Sequence, residues 1–448
     1  MIVVLAVGAI STVAYAATPW IVMTPPKPPP GSVVECQAGG KLNNLCGFIS
    51  NGDLAAWATD NRLLLFDAKT GKRRLDLRIK DGTVASSMNA AGAVLVFGSV
   101  AEVWDFSGER PPQKPSLRVE HHPGRFAFSP DGTTLAMGAY SLVLRDIRTG
   151  RQLREIEIPP DPVTSNARST TAIAFSRDGK VVAAAVSGSC PAVLSWLTAT
   201  GAPHGGVVFD PGNRAEIRSI SLSSNGNSVA VMEVHQLPPP VEGSIGFTFK
   251  TSIHDLASGK QLLNLSSRAT VCDSGAWIVC QPEGTADVQV YEFTTGRLHA
   301  TLPDCGGPMV ASRVLAARVA EKTSSMQTNF FGLWDLDTGK LTASARLDAH
   351  YSSLLAISPD AQFLAIGATE GLCIVSMATG GKVLELRARP RRQRVLAFSS
   401  VVFSPDSTRV AFRISNIPYG DRDDCFGMAD LRMLSPSAVP VSTGETSE

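Results

Sequence analysis

An aspartate standing four residues before a glycine recurs along this chain, from Asp67 to Gly71, Asp146 to Gly150, Asp255 to Gly259 and Asp335 to Gly339, with a shortened copy from Asp105 to Gly108. Three further copies keep only the glycine, at Gly201, Gly296 and Gly380, with Leu197, Glu292 and Ser376 in the aspartate's place. A second phrase alternates with the first. It reads Ser129-Pro130-Asp131-Gly132 and recurs as Ser50-Asn51-Gly52, Ala90-Ala91-Gly92, Ser176-Arg177-Asp178-Gly179, Ser223-Ser224-Asn225-Gly226, Asp273-Ser274-Gly275, Ser358-Pro359-Asp360 and Ser404-Pro405-Asp406. Together they mark nine units of about forty residues, the serine phrase unrecognisable in the seventh and the aspartate phrase blurred in the ninth. Self-similarity on this period means an array of small units, each too small to bury its own core, not a domain built around one special loop.

Each phrase reads as a hairpin turn. Proline presets φ, aspartate or asparagine bonds back to nearby backbone, and glycine accepts the positive φ that costs other residues about 1 kcal/mol or more. The stretches between turns, such as 125–129, 134–138 and 142–146, are short apolar strands bounded by turn residues and are too short for helices of ten residues. The chain is therefore read as all-β, each unit a four-stranded antiparallel sheet.

Units of this kind resemble those of the WD-repeat β-propeller family. Trp104-Asp105 and Trp334-Asp335 match the family's dipeptide as written, while Phe66-Asp67, Arg145-Asp146 and His254-Asp255 are looser. The resemblance covers about residues 40–435 and implies a single β-propeller over 36–435. It departs from the family at the Gly-His pair, which has only partial counterparts in Asp348-Ala349-His350 and His121-His122, so a buried His-Asp network is not expected in most blades. Divergent bacterial propellers, periplasmic ones among them, fit almost as well. Quinone-binding propellers share the Thr-Gly-Lys turn, but Lys72-Arg73-Arg74 and Lys340-Leu341 stand where their tryptophan is expected, and no cofactor is implied. Nine units exceed the usual four to eight blades. A nine-blade ring and an eight-blade ring with one unit misread both stand open, closed by a strand from Ser32 to Cys36 or from Ala438 to Ser442.

The ring is preceded by an address. Ile2 to Met23 is uncharged for 22 residues, which as a helix would span about 33 Å against a hydrocarbon core of about 30 Å. Residues 1–23 are thus a transmembrane anchor or, with Ala14-Tyr15-Ala16 as a signal-peptidase pattern, a cleaved signal peptide. Residues 24–35, rich in proline, form a spacer, and 436–448 a polar tail. Such an arrangement suits an exported, periplasmic or membrane-tethered domain. The eight cysteines permit disulfides in that compartment, with Cys36 to Cys46 the pairing expected, against buried free thiols as the alternative. No Cys-x-x-Cys occurs, which leaves no ordinary zinc site. A net charge of +1 gives no reason to expect nucleic acid as a partner.

In an antiparallel blade the first and third turns open on one face and the other connections on the opposite face. The Ser-x-Asp-Gly and Thr-Gly turns occupy the first. The second is expected to receive the irregular length, at 111–116, 159–169, 235–246, 321–330, 387–394 and 415–424, and so to meet a protein partner. On it stand Arg387, Arg389, Arg391, Arg392 and Arg394, suited to anionic groups, and Asp421, Arg422, Asp423 and Asp424, which would pair with those arginines or hold a hard cation. Phe330, Phe331 and Tyr419 are the candidate aromatic anchors, the two phenylalanines alternatively beginning a strand. The chain is read as a non-catalytic interaction scaffold. Two alternatives stand beside that reading: a hydrolase, lyase or oxidoreductase with its site in the central channel, and a ligand or glycan sensor. Against an enzyme, no His-x-x-x-His, Gly-x-Ser-x-Gly, Walker loop or heme-attachment motif occurs.

Overall fold

The computed structural model describes residues 21–23, 33–37, 42–49, 52–58, 62–78, 85–88, 93–97, 100–106, 112, 114–120, 125–210, 216–237, 246–311, 313–319, 328–348, 351–368, 371–388, 395–417 and 425–434. The recurring turns fold as hairpins, and the strands between them pair into nine antiparallel sheets. Blades 1 to 8 span 42–78, 85–120, 125–157, 170–208, 216–265, 269–302, 305–348 and 351–388, each with four strands in chain order from inner to outer, and blade 8 carries a fifth, Ile21–Met23, beyond its outer strand. Blade 9 has only three strands of its own, in 395–430; its outer strand is Val33–Gln37 from the other end of the chain, with Val33 opposite Ala429 and Gln37 opposite Cys425. The ninth aspartate phrase is blurred for this reason. A third strand whose partner comes from the N-terminus needs no turn into a fourth. The closing strand also begins inside the segment assigned to the spacer, at Val33 rather than at residue 36.

The core sits between blades, not within them. Nine apolar clusters each draw on two successive blades. One of them joins Phe48, Leu54, Leu64 and Phe66 of blade 1 to Ala411 and Met428 of blade 9, which closes the circle and fixes the count at nine. Strands caught between two such junctions lose the alternation of a half-buried strand. Val181–Val186, the second strand of blade 4, is buried at every position and reads as a continuous apolar run for that reason.

The serine phrase works the same way in most blades where it is recognisable. Ser129 Oγ donates to Asp131 Oδ1 at 2.5 Å and accepts from the Thr134 N–H at 2.9 Å, while the Gly132 N–H closes the turn on the Ser129 carbonyl. Its fourth position needs positive φ, met by Gly132 at 72° and Gly179 at 70°, but by Ala361 at 58° and Ser407 at 58° in blades 8 and 9. Ser407 has a compensating role, its Oγ accepting from the Asp360 N–H of the neighbouring blade at 3.0 Å. Ala361 has only a half-buried methyl. Replacing Ala361 with glycine should therefore stabilise the fold by about 0.5 kcal/mol, the relief of the left-handed strain less the lost methyl contact and the looser unfolded chain. Ser407→Gly, which also forfeits the hydrogen bond, should not; chemical denaturation of both variants checks the contrast.

Candidate functional site

The two faces of the ring differ in chemistry. In blade 3 the turns at 129–133 and 147–151 open on one face and the connections 139–140 and 158–169 on the other. The first face is a ring of locked carboxylates. Asp146 accepts from the Thr149 hydroxyl and N–H, both at 2.7 Å, and Asp335 and Asp255 make the same pair of bonds to Thr338 and Ser258. The hydroxyl and then the amide hold each of these three carboxyls below the usual range. At Asp67, Asp131 and Asp178 partial burial opposes the shift and is outweighed by such bonds, from Thr70, from Ser129 and Thr133, and from Ser176 and Lys180. The glycines that follow, Gly71, Gly150, Gly259 and Gly339, all hold φ near 70°.

A carboxyl whose folded pKa lies below its unfolded value adds stability above the unfolded value, about 3.9, and loses it as pH falls through the folded one. The melting temperature should thus stay level from pH 7 to pH 5 and drop steeply below about pH 4, because the same shift recurs around the ring. A thermal-melt series across that range checks it; a fall already complete at pH 5 would contradict it.

On the opposite face the best-defined structure is a clamp. Asp161, with a side chain 1% exposed, accepts from the backbone N–H groups of Val163 at 2.9 Å, Thr164 at 3.0 Å and Cys190 at 3.3 Å. Burial opposes its ionisation, and the amides of Thr164, Val163, Cys190 and Ser189 outweigh it, holding the carboxyl at about 2. Arg168, also buried, lies 3.8 Å from the same carboxylate and donates to the Cys190 carbonyl at 2.7 Å. Gly188, at φ 148°, leaves room for the carboxylate; a Cβ there would overlap Asp161 Oδ2. Further bonds tie in the neighbouring connections: Thr170 N–H to the Ala139 carbonyl at 2.8 Å, Ser169 Oγ to Ser187 Oγ at 2.8 Å, and Phe209 N–H to the Pro191 carbonyl at 2.8 Å. Segments 139–140, 158–170, 187–191 and 208–209 therefore form one hydrogen-bonded surface on blades 3 and 4. From it project Tyr140, 68% exposed, Val163, 63%, and Val208, 62%, the three most exposed large apolar residues described.

The described inner strands, which line the axis, carry few acid–base groups. The nine inner strands together carry three charged residues, Arg125, Glu216 and Arg218, and no histidine. All three stand within the first three residues of their strands, at the end facing the loops. Among the described residues no group of three histidine, cysteine, aspartate or glutamate side chains is placed to hold a metal ion.

Several residues expected on the loop face lie elsewhere. Phe331 is completely buried in the cluster joining blades 7 and 8, and Phe330 is half-buried beside it on the strand Thr328–Asp335, because both belong to the third strand of a blade and not to its connection. The segment 111–116 joins the third and fourth strands of blade 2 and so opens on the turn face. Arg387 sits in the outer strand of blade 8, opposite Gly371 and Val22. Arg389, Arg391, Arg392, Arg394, Tyr419, Asp421, Arg422, Asp423 and Asp424 lie outside the described residues. Cys36 and Cys46 are on strands, but the expected pairing falls outside the described side chains. Cys190, Cys272, Cys280, Cys305 and Cys373 are buried free thiols, and burial pushes Cys272 and Cys373 up to about 12 and Cys305 to about 11, far from reactive thiolates. The clamp itself was missed: only the prolines at 159, 160 and 162 around Asp161 hinted at a fixed loop.

No protein-family model and no curated protein matches the chain. Among solved structures it is similar to one described as a crystal structure of the eukaryotic initiation factor, at 12% identity and a TM-score of 0.53, over 79% of this chain and 92% of that one. It also aligns with the computationally designed Ika8 protein at 17% identity, over 79% of this chain and 98% of that one, with a TM-score of 0.46. At 12% identity the first likeness is one of fold alone, and the second superposition is too loose to carry an argument.

Proposed function

We propose that this chain is an exported, divergent WD-repeat-like propeller that binds another protein through its loop face and carries out no catalysis of its own. The observation that carries the reading is the contrast between axis and rim. A nucleophile in a propeller channel needs an acid or base beside it, and the described inner strands hold three charged residues and no histidine. The loop face of blades 3 and 4, by contrast, presents Tyr140, Val163 and Val208 on connections fixed by the buried Asp161 and Arg168. Apolar side chains held rigidly in water lose little conformational freedom when a partner covers them, which is what an interaction surface requires. The arginines of 387–394 and the acidic residues of 421–424 extend the same proposal to blades 8 and 9.

The test is capture of envelope proteins by the immobilised chain and by a Tyr140→Ser, Val163→Asp double variant. Both residues are solvent-facing, so melting should be unchanged, while partner retention should fall about tenfold or more. Equal capture by the two proteins would remove blades 3 and 4 from the binding surface, and loss on replacing the 387–394 arginines instead would move it to blade 8.

A further inference from the structure

The loop surface of blades 3 and 4 exposes no charge. Its four segments, 139–140, 158–170, 187–191 and 208–209, hold two charged side chains, Asp161 and Arg168, which are 1% and 3% exposed. The carboxylate faces the backbone amides of Val163, Thr164 and Cys190, and the guanidinium faces the Cys190 carbonyl, so neither is offered to solvent. Exposed charge resumes at the borders, with Glu157 and Asp210, and on the turn face of the same two blades, with Arg148, Arg151, Arg177 and Lys180. In a chain with 18% charged residues, a continuous loop surface of this extent without one is a departure. What it presents instead is Tyr140, Val163 and Val208, together with the hydroxyls of Thr164, Ser165 and Ser189. Depletion of charge with retention of aromatic and apolar side chains separates the core of a protein interface from ordinary surface.

Resting on the reading of this face as the binding surface, we infer that the partner docks on blades 3 and 4 with an uncharged, extended segment whose apolar side chains meet Tyr140, Val163 and Val208. An extended segment keeps its backbone amides and carbonyls open, and the hydroxyls of Thr164, Ser165 and Ser189 can serve both as donors and as acceptors. A charged segment is disfavoured. It would lose its hydration on docking and find no opposite charge in return, because Asp161 and Arg168 lie 3.8 Å apart and offset each other behind the surface. The same absence of exposed cations leaves a phosphate backbone or an anionic lipid nothing to pair with here. The buried pair acts on the partner only through the loop shape that it holds.

The test is selection of a phage-displayed library of random peptides on the immobilised full chain, followed by titration of the enriched sequences as synthetic peptides. Enriched sequences should carry fewer charged residues than the starting library. Their affinity should change less than about threefold between about 0.1 M and about 1 M salt, where the screening length falls from about 10 Å to about 3 Å. Val163→Asp and Val163→Lys should each weaken binding about tenfold or more, and to the same extent, because a neutral segment meets either charge as a desolvation cost alone. Melting of both variants should match that of the full chain, since Val163 faces solvent. Enriched peptides dominated by one sign of charge, binding that fades with salt, or opposite responses of the two Val163 variants overturn the inference and leave blades 3 and 4 as the binding surface. An unenriched library overturns it as well, and peptides indifferent to both variants remove blades 3 and 4 from the binding surface together with it.

Discussion

A chain lacking residues 1–37 should lose about 3–6 kcal/mol of stability and self-associate, because it lacks the outer strand of blade 9. The five residues of Val33–Gln37 pair one to one with residues 425–429, from Gln37 opposite Cys425 to Val33 opposite Ala429. Each ladder bond contributes about 0.5–1.5 kcal/mol net, and the bared edge of a third strand is a template for another chain. The controls are as informative as the deletion. Removing 1–20 takes away neither described strand and should leave melting unchanged, and removing 436–448 should do the same if the alternative closing segment from Ala438 to Ser442 has no part in blade 9. An excess of a synthetic peptide covering residues 30–41 should restore part of the lost stability, since strand addition in trans supplies the same bonds at lower effective concentration. Calorimetry and light scattering on the four proteins decide it. A ring lacking 1–37 that melts with the full chain would mean that the N-terminal strand closes nothing.

That closure was half legible in the residues alone, and the half that was missing is instructive. The turns are local, with donor and acceptor two to five positions apart, as in Asp146 with Thr149 or Ser129 with Thr134, so their spacing marks nine units, while the choice between nine blades and eight waits for the junction of blades 1 and 9. The Ser32 to Cys36 alternative anticipates the closing strand within one residue, because a repeat array with a truncated last unit has to borrow one. What a sequence does not display is contact at long range. Asp161 meets Cys190 across 29 positions, and nothing near either residue marks the partner. The same blindness misplaced 111–116: a third-to-fourth connection lengthened by insertion looks like an inter-blade loop until the strands on either side are paired. It also left Phe330 and Phe331 suspended between loop and strand, since the strand Thr328–Asp335 runs farther toward the loop face than its counterparts in most blades.

Phe331→Ala should cost about 3–5 kcal/mol, the range for emptying a fully buried aromatic site, whereas Phe330→Ala should cost less than about 1 kcal/mol. Phe331 stands opposite Arg318 and Ala345 on its neighbouring strands, and its ring enters the cluster with Tyr351, Leu364, Ile366 and Cys373 of blade 8. That cluster already has Tyr351 anchored through its hydroxyl to Glu385 at 2.8 Å and its carbonyl held by the Asn329 amide at 2.7 Å, so the surroundings have little freedom to collapse into the void. Phe331→Leu, which refills most of the volume, should recover more than half of the loss. Urea unfolding of the three variants reads this directly, and the slope as well as the midpoint matters. In an open solenoid a weakened junction lets one end fray and broadens the transition. In a closed ring every blade is held from both sides, and opening the junction of blades 7 and 8 leaves the others bound only as a linear stack with two bare faces. A single sharp transition, shifted as a whole, is therefore the outcome that a circle demands, and a shallow one confined to blades 7 and 8 would show that the circle is not mechanically continuous.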